Sequence, residues 1–213
     1  MSNEEIARNA PIVDEPIQFV PIYQKRAWGG RNLEDWFNRQ LPDDAPYGES
    51  WELVDRPETQ SVVANGDFAG LTLGELWTHR RRDIFGTGAI GDRFPLLFKI
   101  LDAKENLSIQ VHPPEDVAKE LGGEPKTEVW FVAHAEPGAK LYIGVKNGVD
   151  RALFEQSIND GTTSEAIHEL TPEKDDSILI ESGRLHSIGA GLLIFEIQQN
   201  SDTTYRVFDW NRL

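Results

Sequence analysis

In the stretch LSIQVHP, residues 107–113, Gln110 and His112 alternate with apolar neighbours, so on an extended chain both side chains leave the same face. Sixteen residues after His112, Glu128 stands inside a second apolar run, KTEVWFV, with Lys126 two residues earlier on the same face. His186 lies in SGRLHSIGAG, a glycine-bounded turn between two apolar runs. Two imidazoles, one carboxylate and one amide oxygen form a borderline-hard donor set. It suits Zn2+ or a similar divalent ion and leaves positions open for substrate oxygens. Each residue also has a plainer explanation: a lone buried His or Gln is more often a core polar group satisfied by one hydrogen bond. Glu128 weighs more, because an unpaired carboxylate in an apolar strand is costly to bury. His134 and His168 lack such partners and read as surface or loop residues.

The elements that must position these residues read mainly as strands. Short β-branched or apolar runs bounded by Gly, Pro and Asp cover residues 17–24, 50–55, 60–66, 94–103, 107–113, 176–182, 185–190, 191–199 and 203–210. Residues 127–135 and 139–145 read as a hairpin joined by Glu136, Pro137 and Gly138. Three helices are expected, over residues 72–84, 114–121 and 150–159, with a further short one over 163–170. The first begins with a capping box, Thr72 followed three residues later by Glu75. About ten short strands without alternating βαβ units predict an all-β fold with helical additions, a sandwich or barrel.

At 213 residues the chain suits a single domain over residues 17–213, preceded by a polar arm over residues 1–16. The formal net charge of −15 is spread along the chain, which argues against nucleic acid or anionic membranes as partners. Any phosphorylated ligand therefore needs a local basic pocket. There is no cysteine, so thiolate metal sites and disulfides are both excluded. No apolar run approaches the ~20 residues that span a bilayer, and the first residues lack the pattern of a signal peptide, so a cytoplasmic location is expected.

A family resemblance runs through these segments. FPLLFKILDAKENLSIQVHP, KTEVWFV, EPGAKLYIGV, GRLHSIGAG and EIQQNSDTTYRVFDWNR resemble, in order, motifs of the type I mannose-6-phosphate isomerases, zinc enzymes of the cupin superfamily. AWGGRNL and YGESWEL nearer the start fit the same family, so the resemblance extends from about Pro21 onward. It implies a cupin-type jelly-roll sandwich or barrel in which Gln110, His112, Glu128 and His186 meet at one zinc ion. It also implies a pocket for a sugar phosphate built from Trp28, Glu49, Lys99, Ser108, Lys126, Glu196, Arg206 and Arg212. The sequence departs from many relatives at Glu181, where they carry Pro. Arg206 lies seven residues from the last residue given, which predicts a lightly supported strand.

The activity so implied is zinc-dependent interconversion of mannose 6-phosphate and fructose 6-phosphate through an enediol. Lys126 and Glu196 are the candidates for moving the proton, and a like charge beside Lys126 is expected to make that lysine a base near neutral pH. Arg206 is expected to stabilise the enediolate, and Arg212 with Ser108 to hold the phosphate. Taken singly, Lys99 also reads as a strand-end lysine reaching water, Glu196 as solvent-facing, and Arg206 as a salt-bridge partner of Asp202 or Asp209. Two other functions share the donor set: a catalytically inactive sugar-phosphate-binding protein, and a metal-dependent cupin dioxygenase.

Overall fold

Alternating apolar segments become thirteen strands in the computed structural model, which describes Glu5 and residues 15–212. In chain order they are β1 (Ile22–Gly30), a short helix α1 (Asn32–Phe37), β2 (Tyr47–Leu53) and the small pair β3 (Asp55–Arg56) and β4 (Thr59–Gln60). Helices α2 (Leu73–His79) and α3 (Arg81–Phe85) precede β5 (Leu96–Ala103), β6 (Ile109–Val111), α4 (Glu115–Ala118), β7 (Glu128–Ala135) and β8 (Leu141–Val145). Then come α5 (Arg151–Asn159), α6 (Thr163–Ala166), β9 (Ile167–Leu170), β10 (Ser177–Ile180), β11 (His186–Ile188), β12 (Leu192–Gln199) and β13 (Tyr205–Phe208).

A six-stranded sheet, β1-β2-β5-β12-β7-β10, faces a five-stranded one, β13-β6-β11-β8-β9. All the described pairings are antiparallel. Leu101, Trp130, Val132, Ile180 and Ile194 from the first sheet meet Leu141, Ile143 and Ile188 from the second in one buried cluster. Burying each such side chain contributes roughly 1.5–3 kcal/mol, so this shared core holds the two layers together. The strand β12 shows how the pattern works: Leu192, Ile194, Glu196 and Gln198 are buried, while Phe195, Ile197 and Gln199 are partly or largely exposed. Among the described residues no pairing closes the sheets into a barrel, so the sandwich form of the expectation is the one observed.

Several expectations change. Residues 127–135 and 139–145 are not a hairpin, because β7 pairs with β12 and β10 while β8 pairs with β11 and β9 in the opposite sheet. The turn at Glu136–Gly138 carries the chain between layers, since Trp130 and Val132 on one side and Leu141 and Ile143 on the other must all reach the same core. The first strand begins at Ile22 and runs on to Gly30, and residues 60–66 form only the end of β4 and isolated bridges at Val62 and Val63. The helix expected over 72–84 keeps its capping box but breaks at Arg80, which is buried over the Phe68 ring. The second half of 163–170 is strand β9, with Ile167 fully buried. Helices α4 and α5 lie within the ranges expected, and the arm over residues 1–16 falls almost wholly outside the described residues. No helix among the described residues is long and apolar enough to cross a membrane.

Candidate active site

Four sequence positions remote from one another converge where the two sheets meet. β6 presents Gln110 and, one residue past its end, His112; β7 begins with Glu128; β11 begins with His186, which is paired with Gln110 across the sheet. His112, Glu128 and His186 are each at most 1% exposed. Glu128 Oε1 lies 3.4 Å from His186 Nε2, and Oε2 lies 3.6 Å from His112 Nε2. The Nδ1 atoms of His112 and His186 lie 2.8 Å from the carbonyl oxygens of Thr203 and Arg184. A carbonyl only accepts, so both rings carry their proton on Nδ1 and turn a bare Nε2 lone pair toward Glu128.

Three lone-pair donors therefore face one another in a buried place, all within 4.8 Å. Neither Glu128 oxygen receives an aligned hydrogen bond; Lys126 Nζ stands 2.8 Å from Oε2 as an ion pair. Such a cluster needs cationic partners: Lys126 Nζ supplies one, 3.3 Å from His112 Nε2 as well as beside Glu128, and two imidazoles oriented by backbone carbonyls with one carboxylate also fit a divalent metal. Burial holds His186 down to about 4, against the attraction of Glu128, and lowers His112 in the same way. Both rings stay neutral near pH 7, which is the form that binds metal. Burial pushes the Glu128 carboxyl up, but Lys126, His112 and His186 together outweigh it and hold the group well below the usual carboxylate range. Gln110 stands at the edge of the cluster, its Nε2 3.4 Å from His186 Nε2 and its Oε1 3.4 Å from Ser108 Oγ. Half a turn of the amide exchanges the two atoms and presents the oxygen to the cluster.

Above this cluster opens a cavity of about 350 Å³ whose lining includes Trp28, Glu49, Lys99, Ser108, Gln110, Lys126, Glu196 and Arg206. A volume near the lower end of the ~300–1,000 Å³ typical of small-molecule sites suits a ligand of sugar size. Its charges alternate. Arg26 Nε is 2.7 Å from Glu49 Oε1, Glu49 Oε2 is 3.7 Å from Lys99 Nζ, and Lys99 Nζ is 3.9 Å from Glu196 Oε1. Glu196 Oε1 is in turn 3.7 Å from Lys126 Nζ. Two indoles fix the carboxylates: Trp51 Nε1 donates to Glu49 at 2.6 Å and Trp130 Nε1 to Glu196 at 3.0 Å.

These contacts revise several single-residue readings. Lys99 and Glu196 are each 4% exposed, so neither reaches bulk water. Burial raises the Glu196 carboxyl to about 6, helped by Glu128 and opposed by Lys126 and Lys99. Glu49 goes the other way, to about 2, because Lys99 and Arg26 outweigh the effect of burial. Lys126 was expected to become a neutral base. Burial does push it down, but Glu128 and Glu196 together outweigh that and raise it, so the protein's own groups favour the ammonium, while the expected base rests on the charge of a bound zinc ion, which is no part of that balance.

Arg206, on the edge strand β13, is exposed, lines the cavity opposite Gln110, and has no ion pair with Asp202 or Asp209 among the described residues. Arg212 is not among the lining residues; it pairs with Asp209 at 2.5 Å and Glu105 at 3.5 Å, so it is not brought to the cavity with Ser108. Five lining residues lie outside the expected pocket set: Arg26, Leu101, Leu107, Asp202 and Thr204. Arg26 was the recoverable one, two residues before Trp28 on one strand and therefore on the same face.

Comparison with known proteins agrees with this geometry. Residues 17–124 match the family model of the phosphomannose isomerase type I catalytic domain. The mannose-6-phosphate isomerase ManA of Bacillus subtilis is 41% identical over 200 residues, covering 93% of this chain and 62% of that protein. The mannose-6-phosphate isomerase of Streptococcus mutans is 38% identical over 199 residues, with the same shares. A crystal structure of the Bacillus subtilis mannose 6-phosphate isomerase superposes with a TM-score of 0.85 at 39% identity, over 94% of this chain and 63% of that one. The chain thus spans somewhat under two thirds of the length of these relatives. A matched family model over half the chain, and a fold that brings the His, Glu and His donors together under a cavity of alternating charge, lead to one assignment: the chain belongs to the type I phosphomannose isomerase family.

Proposed function

We propose that this protein interconverts mannose 6-phosphate and fructose 6-phosphate, with zinc held by Gln110, His112, Glu128 and His186. The observation that carries the reading is the convergence of three buried lone-pair donors beneath a cavity lined by cationic side chains, in a chain of net charge −15. A divalent ion held there supplies Lewis-acid polarisation of the sugar oxygens at C1 and C2.

The remaining chemistry belongs to the chain's own groups. Glu196 removes the proton from one carbon and returns it to the neighbouring one; a carboxyl raised to about 6 is matched to that task near neutral pH. Lys126, 3.7 Å away, remains an ammonium and lowers the cost of charge developing on the sugar oxygens. Arg206, paired with Gln110 across the sheet and lining the cavity, has a planar fork that can donate to an enediolate oxygen. Trp28 closes one wall as an apolar surface for the sugar. A cytoplasmic setting fits a sugar-phosphate enzyme of this kind.

A coupled assay for fructose 6-phosphate formed from mannose 6-phosphate, run with and without chelator alongside elemental analysis, tests the proposal. Turnover that is lost with zinc and restored by it is the expected result. Binding of the sugar phosphate without turnover, or iron accompanied by oxygen uptake, would overturn it.

A further inference from the structure

The cations of the cavity are not equivalent. Lys99 is enclosed by Glu49, Glu196 and Asp202, all within 3.9 Å, and Lys126 by Glu128 and Glu196. Both lysines are buried and their charge is answered by the protein itself. Two arginines keep donor groups for a ligand, Arg26 despite its ion pair with Glu49. Arg206 stands beside Gln110, at the metal end. Arg26 is at the opposite end of the alternating series, reached from Glu128 only through Lys126, Glu196, Lys99 and Glu49.

The fold builds Arg26 into place. Its Nε donates to Glu49 and its Nη1 donates to the Lys25 carbonyl at 3.2 Å, while Nη2 has no partner among the described residues. Its side chain is 33% exposed. Gly48 on the neighbouring strand leaves the room it needs: a Cβ there would stand 2.7 Å from Arg26 Cβ and 2.5 Å from the Trp28 ring. A guanidinium oriented by two anchors, with one free edge on a cavity, is suited to an anionic oxygen.

A hexose 6-phosphate carries its reacting carbons at one end and its phosphoryl group at the other. We infer that Arg26 binds the phosphoryl group of the substrate and sets the preference for phosphorylated sugars, a part that Arg212 cannot take while it is paired with Asp209 and Glu105 outside the lining. The inference rests on the sugar-phosphate reading above. Glu49 is a positioning residue in this arrangement, since it holds the guanidinium and does not itself meet an anion.

The test uses the zinc-loaded full chain and two variants, Arg26→Gln, which keeps a donor for Glu49, and Arg26→Lys, which keeps the charge without the fork. Calorimetric titration with inorganic phosphate should give a Kd at least tenfold weaker in Arg26→Gln and an intermediate value in Arg26→Lys. The KM for mannose 6-phosphate should rise at least tenfold, with kcat falling less than about threefold. A Kd for inorganic phosphate within twofold of wild type overturns the inference, and so does a loss confined to kcat, which would mark Arg26 as a prop for Glu49 alone. Wild type that binds inorganic phosphate in an Arg26-dependent way but does not isomerise mannose 6-phosphate would sink the proposed function and leave the anion site standing.

Discussion

The Lys126 ammonium lies 2.8 Å from Glu128 Oε2, two residues along the chain, and both side chains are buried. One cation is thus set against the single carboxylate of the His112–Glu128–His186 cluster and, at 3.7 Å, against the carboxylate proposed to move the proton. The lysine ties the two halves of the site together.

Replacing Glu128 with Gln removes the only charged donor and leaves two neutral imidazoles beside Lys126. Metal affinity should fall by about 100-fold or more, and by more than for Gln110→Ala. Competition with a chromogenic chelator measures both, and equal losses in the two variants would contradict the ligand assignment.

Glu196 is raised to about 6 from an ordinary value of 4.5, so between those pH values the folded protein holds a proton that the unfolded chain has released. Its contribution to stability therefore declines as pH rises through that window. Relative to wild type, Glu196→Gln should gain about 2 kcal/mol as pH rises from below 4.5 to above 6. In the wild type kcat/KM should show an acidic limb near pH 6, and turnover in the variant should be lost at every pH. Denaturant titrations at pH 4 and 7 check the first outcome, and a pH profile checks the second.

Arg206→Lys should lower turnover at least tenfold, a loss of ~1.4 kcal/mol in the transition state, with metal content unchanged. Because Arg206 is exposed and makes no ion pair among the described residues, its thermal midpoint should stay within about 1 °C of wild type, a margin below the ~2 °C that 1 kcal/mol shifts in a chain of this size. A lowered midpoint with full turnover would make the residue structural.

Thr72→Ala tests the fold away from the site. Thr72 accepts from the Glu75 backbone while the Glu75 side chain accepts from the Thr72 backbone, so the change removes one half of the capping box. It should cost about 1 kcal/mol and lower the midpoint by about 2–4 °C, with kcat and KM untouched.

The residues proposed as metal donors could be singled out in the sequence because a strand repeats every two residues. That period puts Gln110 and His112 on one face, and a carboxylate as costly to bury as Glu128 signals a partner. The capping box at Thr72 was legible for the same local reason, since its donors and acceptors lie within one turn. Only the tertiary structure decided that β7 and β8 belong to opposite sheets, that the protein's own groups favour a charged Lys126, and that Arg26 lines the cavity while Arg212 does not. Strand pairing is chosen by which apolar faces close a common core, and the surroundings of Lys126 by the fold that sets Glu128 at 2.8 Å and brings Glu196, seventy residues away on another strand, to 3.7 Å. Coulomb interaction and burial act through space, so alternation along one segment can say which way a side chain points but not what it will meet.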